Sequence, residues 1–113
     1  MIDLKSMSCA PPRIGGAPLD NSDIETYLPQ LPRWEVIEVD GEKRLTRQYK
    51  FNNFSAALKF TNNIGELAEQ EDHHPAILTE WGRVTVTWWT HAVNGLHLND
   101  FISAAKTDQI FTG

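Results

Sequence analysis

An apolar pattern that repeats at three- and four-residue steps and then stops abruptly sets the main constraint on this chain. Phe54, Ala57, Leu58, Thr61, Ile64, Leu67 and Ala68 fall on one side of a helix, with Asn52 or Asn53 as its N-cap. Glu69-Gln70-Glu71-Asp72-His73-His74-Pro75 follows directly. Proline lacks the amide hydrogen a helix needs and pushes the residue before it toward extended backbone. The helix is therefore expected to end near Asp72, with His73 and His74 at a junction between helix and strand. Gly65, inside the helix, costs about 1 kcal/mol relative to alanine and is expected to mark a close contact.

The rest of the chain fits around that junction. Met1 to Pro18, with three prolines and two glycines, reads as an irregular, mobile lead-in. Residues 19–113 read as one domain, the natural count for 113 residues. Asp20-Asn21-Ser22-Asp23 offers several N-caps for a short helix through Leu28, which Pro29 and Pro32 stop. Trp34 to Val39 is a strand by β-propensity, Asp40-Gly41 a hairpin turn, and Lys43 to Phe51 the return strand. Leu45, Arg47 and Tyr49 share one face of that strand; Thr46, Gln48 and Lys50 share the other. Both faces are mixed, so the sheet is expected to be covered on one side only.

After Pro75, Ala76 to Glu80 forms a short strand, Trp81-Gly82 a turn, and Arg83 to His91 the clearest strand in the chain. Val84, Val86 and Trp88 face one way; Thr85, Thr87, Trp89 and His91 face the other. Asn94-Gly95 turns the chain into a last helix that begins at His97 or Asn99. Leu98, Phe101, Ile102, Ala105 and Ile110 are its packing side. The order α-β-β-α-β-β-α describes an α+β domain with hairpin-connected antiparallel strands.

Composition narrows the function classes. The apolar fraction of 41% and charged fraction of 22% are those of an ordinary soluble globular protein. A net charge of −5 argues against non-specific binding to nucleic acid or to an anionic membrane. No apolar run reaches the length of a membrane span, and Met1 to Cys9 lacks the apolar centre of a signal peptide. Cys9, the only cysteine, forms no internal disulfide. The expectation is a cytoplasmic protein with no membrane and no nucleic-acid partner.

Histidine is the side chain best matched to proton transfer near neutral pH, because its ordinary pKa lies near 6.5. Neighbours in extended chain point to opposite sides, so His73 and His74 share a pocket only if the junction bends. A solvated polar corner beside Glu71 and Asp72, a metal site and an acid–base site all use such residues. Adjacent histidines chelate less readily than a pair four apart on a helix, and no cysteine lies nearby, which weighs against metal. Acid–base catalysis needs a partner histidine. His91, at the far end of the following strands, is the candidate, and the fold is expected to bring it back beside His73 and His74.

The wider spacing adds to this. Glu69 stands four before His73; Pro75 is followed by Trp81, then by Thr90-His91, Gly95-Leu96 and Asp100-Phe101. From about Leu19 to Ile110 this pattern resembles the signature of the pterin-4a-carbinolamine dehydratases. The resemblance implies a four-stranded antiparallel sheet with helices on one face, and homo-oligomers, usually dimers or tetramers. It implies dehydration of a 4a-hydroxytetrahydropterin, such as 4a-hydroxytetrahydrobiopterin, to a quinonoid dihydropterin, in recycling the pterin cofactor of aromatic amino acid hydroxylases.

By the same resemblance His73 and His91 exchange protons, His74 binds and orients the pterin, and neither metal nor cofactor takes part. Glu69 or Asp72 is expected to fix a histidine tautomer or to favour its cation, and Trp89 to flank the pterin ring. His97 stands where the family more often has Ser or Thr as a helix cap, and reads as a weaker cap rather than a further catalytic group. Asn99 departs from the basic residue common just before Asp100. The competing readings are a protein-interaction role, as a transcription-factor dimerisation partner or an assembly factor for a carboxylating enzyme, and a zinc-dependent hydrolase using His73, His74 and His91. The presence of all three histidines ranks catalysis first.

Overall fold

Two hairpins build the sheet of this protein, whose computed structural model describes residues 3–111. Strands β1 (Glu35–Val39) and β2 (Glu42–Lys50) join through Asp40 and Gly41, at φ 52° and 79°. Positive φ at both central residues is what a tight hairpin turn of this twist requires. Strands β3 (Ala76–Glu80) and β4 (Arg83–Trp88) join through Trp81-Gly82. The hairpins pair antiparallel along β2 and β4, with Leu45 opposite Trp88 and Lys50 opposite Arg83, giving the order β1-β2-β4-β3.

Helices α1 (Asn21–Tyr27), α2 (Phe54–Glu71) and α3 (Leu98–Ile110) complete the expected α-β-β-α-β-β-α order. Side chains alternate along a strand, and the alternation decides which face the helices cover. Leu45, Tyr49, Val84, Val86 and Trp88 are buried with Phe60, Ile64, Phe101 and Ile102 from the helices. Thr46, Gln48, Thr85 and Thr87, from the other face, keep contact with solvent. Asp20 caps α1 by accepting from Asp23 N–H at 2.9 Å, and Asn53 caps α2 by accepting from Ala56 N–H at 2.8 Å.

Four details differ from expectation. The stripe of α2 that reaches the core is Ala57, Phe60, Ile64, Leu67 and Ala68, while Phe54 and Leu58 stay exposed. A wide apolar stripe leaves its own rotation open by about one position, and packing on the sheet settled it. Gly65 marks no close contact, because a Cβ there would meet open space. Strand β4 ends at Trp88 instead of running to His91. Thr90 N–H donates to Gly95 O at 2.8 Å, Asn94 turns back at φ 55°, and His91–Val93 forms a 3-10 turn. The ladder ends because Thr90 is committed to this turn.

The fourth difference concerns Asp3 to Pro18. This stretch is irregular apart from a 3-10 turn at Leu4–Ser6, but it is held on the domain. Leu4 is fully buried, and Cys9 N–H donates to Glu71 Oε1 at 2.8 Å. The Cys9 thiol lies 3.3 Å from Ser103 Oγ, and burial pushes it up to about 11.

Candidate active site

The end of α2 is bent rather than frayed. Asp72 takes the left-handed conformation (φ 51°, ψ 42°), and the N–H groups of Asp72 and His73 both return to Ala68 O. Aspartate enters this region more readily than most residues with a Cβ. Beyond the bend the two histidines point in different directions, as neighbours in non-helical, extended chain do. His73 turns inward, its side chain 12% exposed, and His74 turns outward at 57%.

His73 is fixed on two sides. Its ring stacks on Trp88, with centroids 5.3 Å apart and planes 25° apart. Trp88 is itself anchored, because its indole N–H donates to Thr107 Oγ1 at 3.2 Å and Thr107 donates on to Ser103 O at 2.7 Å. His73 Nε2 lies 2.6 Å from Asp100 Oδ1. Asp100 is completely buried, and its other oxygen accepts from Thr90 Oγ1 at 2.8 Å and from His97 N–H at 2.9 Å. A carboxylate offers only acceptors. His73 therefore carries a proton on Nε2, and in the neutral ring Nδ1 is the lone pair.

His74 pairs with Glu69 instead, Nε2 to Oε2 at 2.5 Å. Glu69 is 78% exposed, so this pair works in solvent, where such contacts hold an orientation weakly. His91 is exposed in the turn next to Thr90, and its side chain has no partner among the described residues. Asp100 thus gathers His73 and the residue before His91, while His74 leaves the cluster. Asp72 is exposed at the bend, with its side chain unpartnered among the described residues. Trp89, half-buried on the open side of the sheet, has the Arg44 guanidinium 3.9 Å over its ring.

Among the described residues, no three His, Cys, Asp or Glu side chains converge as a metal cage, and no helix is long and apolar enough to cross a membrane. A groove of about 530 Å³ lined by Lys50, Phe51, Lys59, Asn63 and Phe111 includes none of the histidines. Its lining holds no imidazole, whereas the Asp100 cluster includes one.

Comparison with known proteins gives the family. Residues 17–110 match the family model described as pterin 4 alpha carbinolamine dehydratase. The chain belongs to this family. A relative from Nitrosococcus oceani, provisionally named a pterin-4-alpha-carbinolamine dehydratase, is 54% identical over 97% of this chain and 97% of its own. One from Chlorobium limicola with the same provisional name is 51% identical over 100% of both chains. A crystal structure from Brucella melitensis, described as a transcriptional coactivator/pterin dehydratase, superposes with a TM-score of 0.74 at 36% identity. It covers 82% of this chain and 97% of that one.

Within this dehydratase-family fold, Asp100, Thr90 and Trp88 are the site neighbours that residue types alone did not single out. Asp100 entered the sequence reading only through the Asp100-Phe101 pair; in the structure it is the N3 acid of a capping box on α3. Its His97 N–H bond is that capping bond, and its bonds to His73 and Thr90 are additional. His97 does cap α3, accepting from Asn99 N–H on Nδ1 at 2.9 Å. Burial lowers its pKa, partly offset by Asp100, with His73 adding to the lowering.

Proposed function

We propose that this protein dehydrates a 4a-hydroxytetrahydropterin to a quinonoid dihydropterin and water by histidine acid–base catalysis. The observation that carries the reading is the His73–Asp100 contact, which leaves Nδ1 of a sheltered imidazole as a proton acceptor. A proton leaves N5 for one histidine, the C4a–O bond breaks as the hydroxyl takes a proton from another, and a C4a=N5 double bond forms. His73 and His91 share these transfers. Asp100 holds the first ring and its tautomer. His91, unpartnered and exposed, remains available to a bound pterin.

His74 binds and orients the pterin from the outer side of the bend, steadied by Glu69, with Asp72 at the rim. Trp89 has one ring face left for the pterin, the other being under Arg44. General acid–base catalysis supplies about 100- to 10,000-fold. That suffices for a carbinolamine, whose ring nitrogen already assists departure of water.

The cellular role we assign is recycling the pterin cofactor of aromatic amino acid hydroxylases, in the cytoplasm. A homo-oligomer, dimer or tetramer, is supported by the unequal sheet edges. Edge strand β1 carries Glu35 and Glu38, the charges that normally block edge-to-edge pairing. Edge strand β3 has no charge before Glu80 and leaves Leu78 57% and Trp81 69% exposed. A monomer mass by sedimentation at micromolar concentration would count against assembly. A purely protein-binding role gives no reason for a buried carboxylate to hold an imidazole.

The test is the decay of freshly generated 4a-hydroxytetrahydropterin, followed by ultraviolet absorbance. Faster decay with the protein, lost in a folded His73→Ala or His91→Ala variant, is expected. Decay at the blank rate removes the catalytic reading.

A further inference from the structure

The stretch from Asp3 to Leu19 is bonded close to His73, Asp100 and His91 in sequence. Cys9 N–H is held by Glu71, two residues before His73. Ala10 is held twice by Asn99, which adjoins Asp100: Ala10 N–H donates to Oδ1 at 3.0 Å, and Nδ2 donates to Ala10 O at 2.6 Å. Gly15 N–H donates to Ala92 O at 3.0 Å, in the residue after His91. Leu19 N–H donates to Leu96 O at 2.8 Å, in the residue before His97. A Cβ at Gly95 would come within 2.9 Å of Pro18 Cβ, so the segment and the His91 loop meet without slack.

Asn99 is the strongest of these ties. It is 3% exposed, and its amide serves both the donor and the acceptor of one backbone residue, as a strand partner does. A lysine or arginine at this position has no acceptor and cannot hold Ala10 N–H. The residues joined by Asn99 are therefore specific to an amide.

We propose that Asn99 is a positioning residue: by clasping Ala10 it seats the arm from Asp3 to Leu19, and the arm sets the His91 turn against the His73–Asp100 pair. Inside the domain the turn is fixed at its ends, by the Thr90–Gly95 bridge and by Thr90 on Asp100. Its middle, Ala92, is fixed from the arm. The turn's own bonds, Val93 N–H to Thr90 O and Asn94 N–H to His91 O, shape it but do not tie it to the rest of the fold. A displacement of the order of 1 Å in a proton-transfer partner costs about 100-fold in rate, so the tie from the arm to Ala92 matters for His91. This inference rests on the dehydratase reading for its kinetic test, but not for its spectroscopic one.

The experiment compares wild type, Asn99→Ala and Gly95→Ala, which wedges a methyl against Pro18, with Asp108→Asn, in the last turn of α3 and bonded to Trp34, Arg47 and Tyr49, as a destabilised control. Each is melted, assayed on 4a-hydroxytetrahydropterin, and examined by NMR of the His91 and His73 ring protons. Asn99→Ala and Gly95→Ala are expected to lower kcat about tenfold or more with KM within about twofold, the signature of lost alignment rather than lost binding. Their His91 ring signal shifts or broadens. Asp108→Asn loses melting temperature with kcat and the His91 signal unchanged. The proposal is overturned if Asn99→Ala keeps kcat within twofold, or loses activity only in step with its folded fraction. If wild type itself fails to speed the decay, the dehydratase reading falls, and the His91 signal alone decides. A signal that moves in Asn99→Ala supports the clasp; one that stays overturns it.

Discussion

Helix α3 carries two carboxylates, Asp100 in its first turn and Asp108 in its last, and each gathers three side-chain or backbone partners. Asp108 accepts from the Trp34 indole at 3.0 Å, from Arg47 Nη1 at 2.6 Å and from the Tyr49 hydroxyl. Arg47 also lies 4.0 Å over the Tyr49 ring. Burial, and then Asp108 itself, pushes the Tyr49 hydroxyl far above its ordinary value. No member of that set changes charge near neutral pH. Asp100 accepts from His73, Thr90 and the His97 amide, and one of those three partners is an imidazole. The same residue type on the same helix is thus a structural tie at one end and, in the proposed reaction, the back of a proton-transfer group at the other. What differs is that one set of partners includes an imidazole.

The sharpest way to break this comparison is to neutralise each carboxylate in turn. Asp100→Asn replaces an acceptor with an amide that can offer a donor to His73, which favours the wrong tautomer. We expect kcat to fall about 100- to 10,000-fold in protein that still melts cooperatively. A folded Asp100→Asn protein within tenfold of wild type would refute the role given to Asp100. Asp108→Asn leaves Arg47 and Tyr49 poorly matched and should cost about 2 to 4 kcal/mol by urea melts. Its activity per folded molecule should stay at the wild-type value. Loss of activity there, with the fold intact, would erase the distinction between the two ends.

A smaller change tests the Asp100 set from its other side. Thr90→Val keeps the branched shape and removes the hydroxyl that donates to Asp100 Oδ2. Asp100 retains its bonds to His73 and to the His97 amide. A loss of about 1 to 2 kcal/mol is expected, with a smaller fall in kcat than for Asp100→Asn. Equal kinetic losses in the two variants would mean that Thr90, and not the histidine contact, carries the effect.

These networks also mark where the sequence became hard to read. Both hairpins, both ends of α2 and the α1 cap were legible, because Asp40-Gly41, Asn53, Pro75 and Asp20 act on the backbone within a few residues. The strand end at Trp88 was not, since the Thr90 backbone leaves the ladder for Gly95 while its hydroxyl donates to Asp100, and that second contact exists only after α3 docks. The burial of Phe60 in place of Leu58 was hidden for the same reason: the rotation of a stripe depends on what it packs against. His73 and His74 were found as a pair, and their opposite directions were legible from alternation along extended chain; the left-handed backbone at Asp72 that decides which of them turns inward was not. The Pro- and Gly-rich start announced that it would form no long helix or strand. It did not announce its ties, which reach Glu71 and Asn99 across 62 and 89 residues. Local signals were readable, and partnerships made by packing were not.

The smallest effect concerns His97, which touches the Asp100 set through its backbone while its ring caps α3. Nδ1 accepts from Asn99 N–H, so the neutral ring is the capping form. Burial holds its pKa below the ordinary 6.5; Asp100 opposes that shift and His73 reinforces it. The sign follows from proton binding. Between the folded pKa and 6.5 the unfolded chain binds more protons than the folded one, so stability falls as pH drops through 6.5 and levels off below the folded value. The full contribution is present above 6.5. Because the ring is partly in solvent, the change should be only a few tenths of a kcal/mol, within the range of one exposed cap. His97→Asn retains a capping side chain that does not titrate, and should flatten the stability curve between pH 7 and 5. Urea melts at pH 5, 6, 7 and 8 measure this. If His97→Asn keeps the wild-type slope, the acid sensitivity arises in another group, and the cap is not where protonation of this cluster meets the fold.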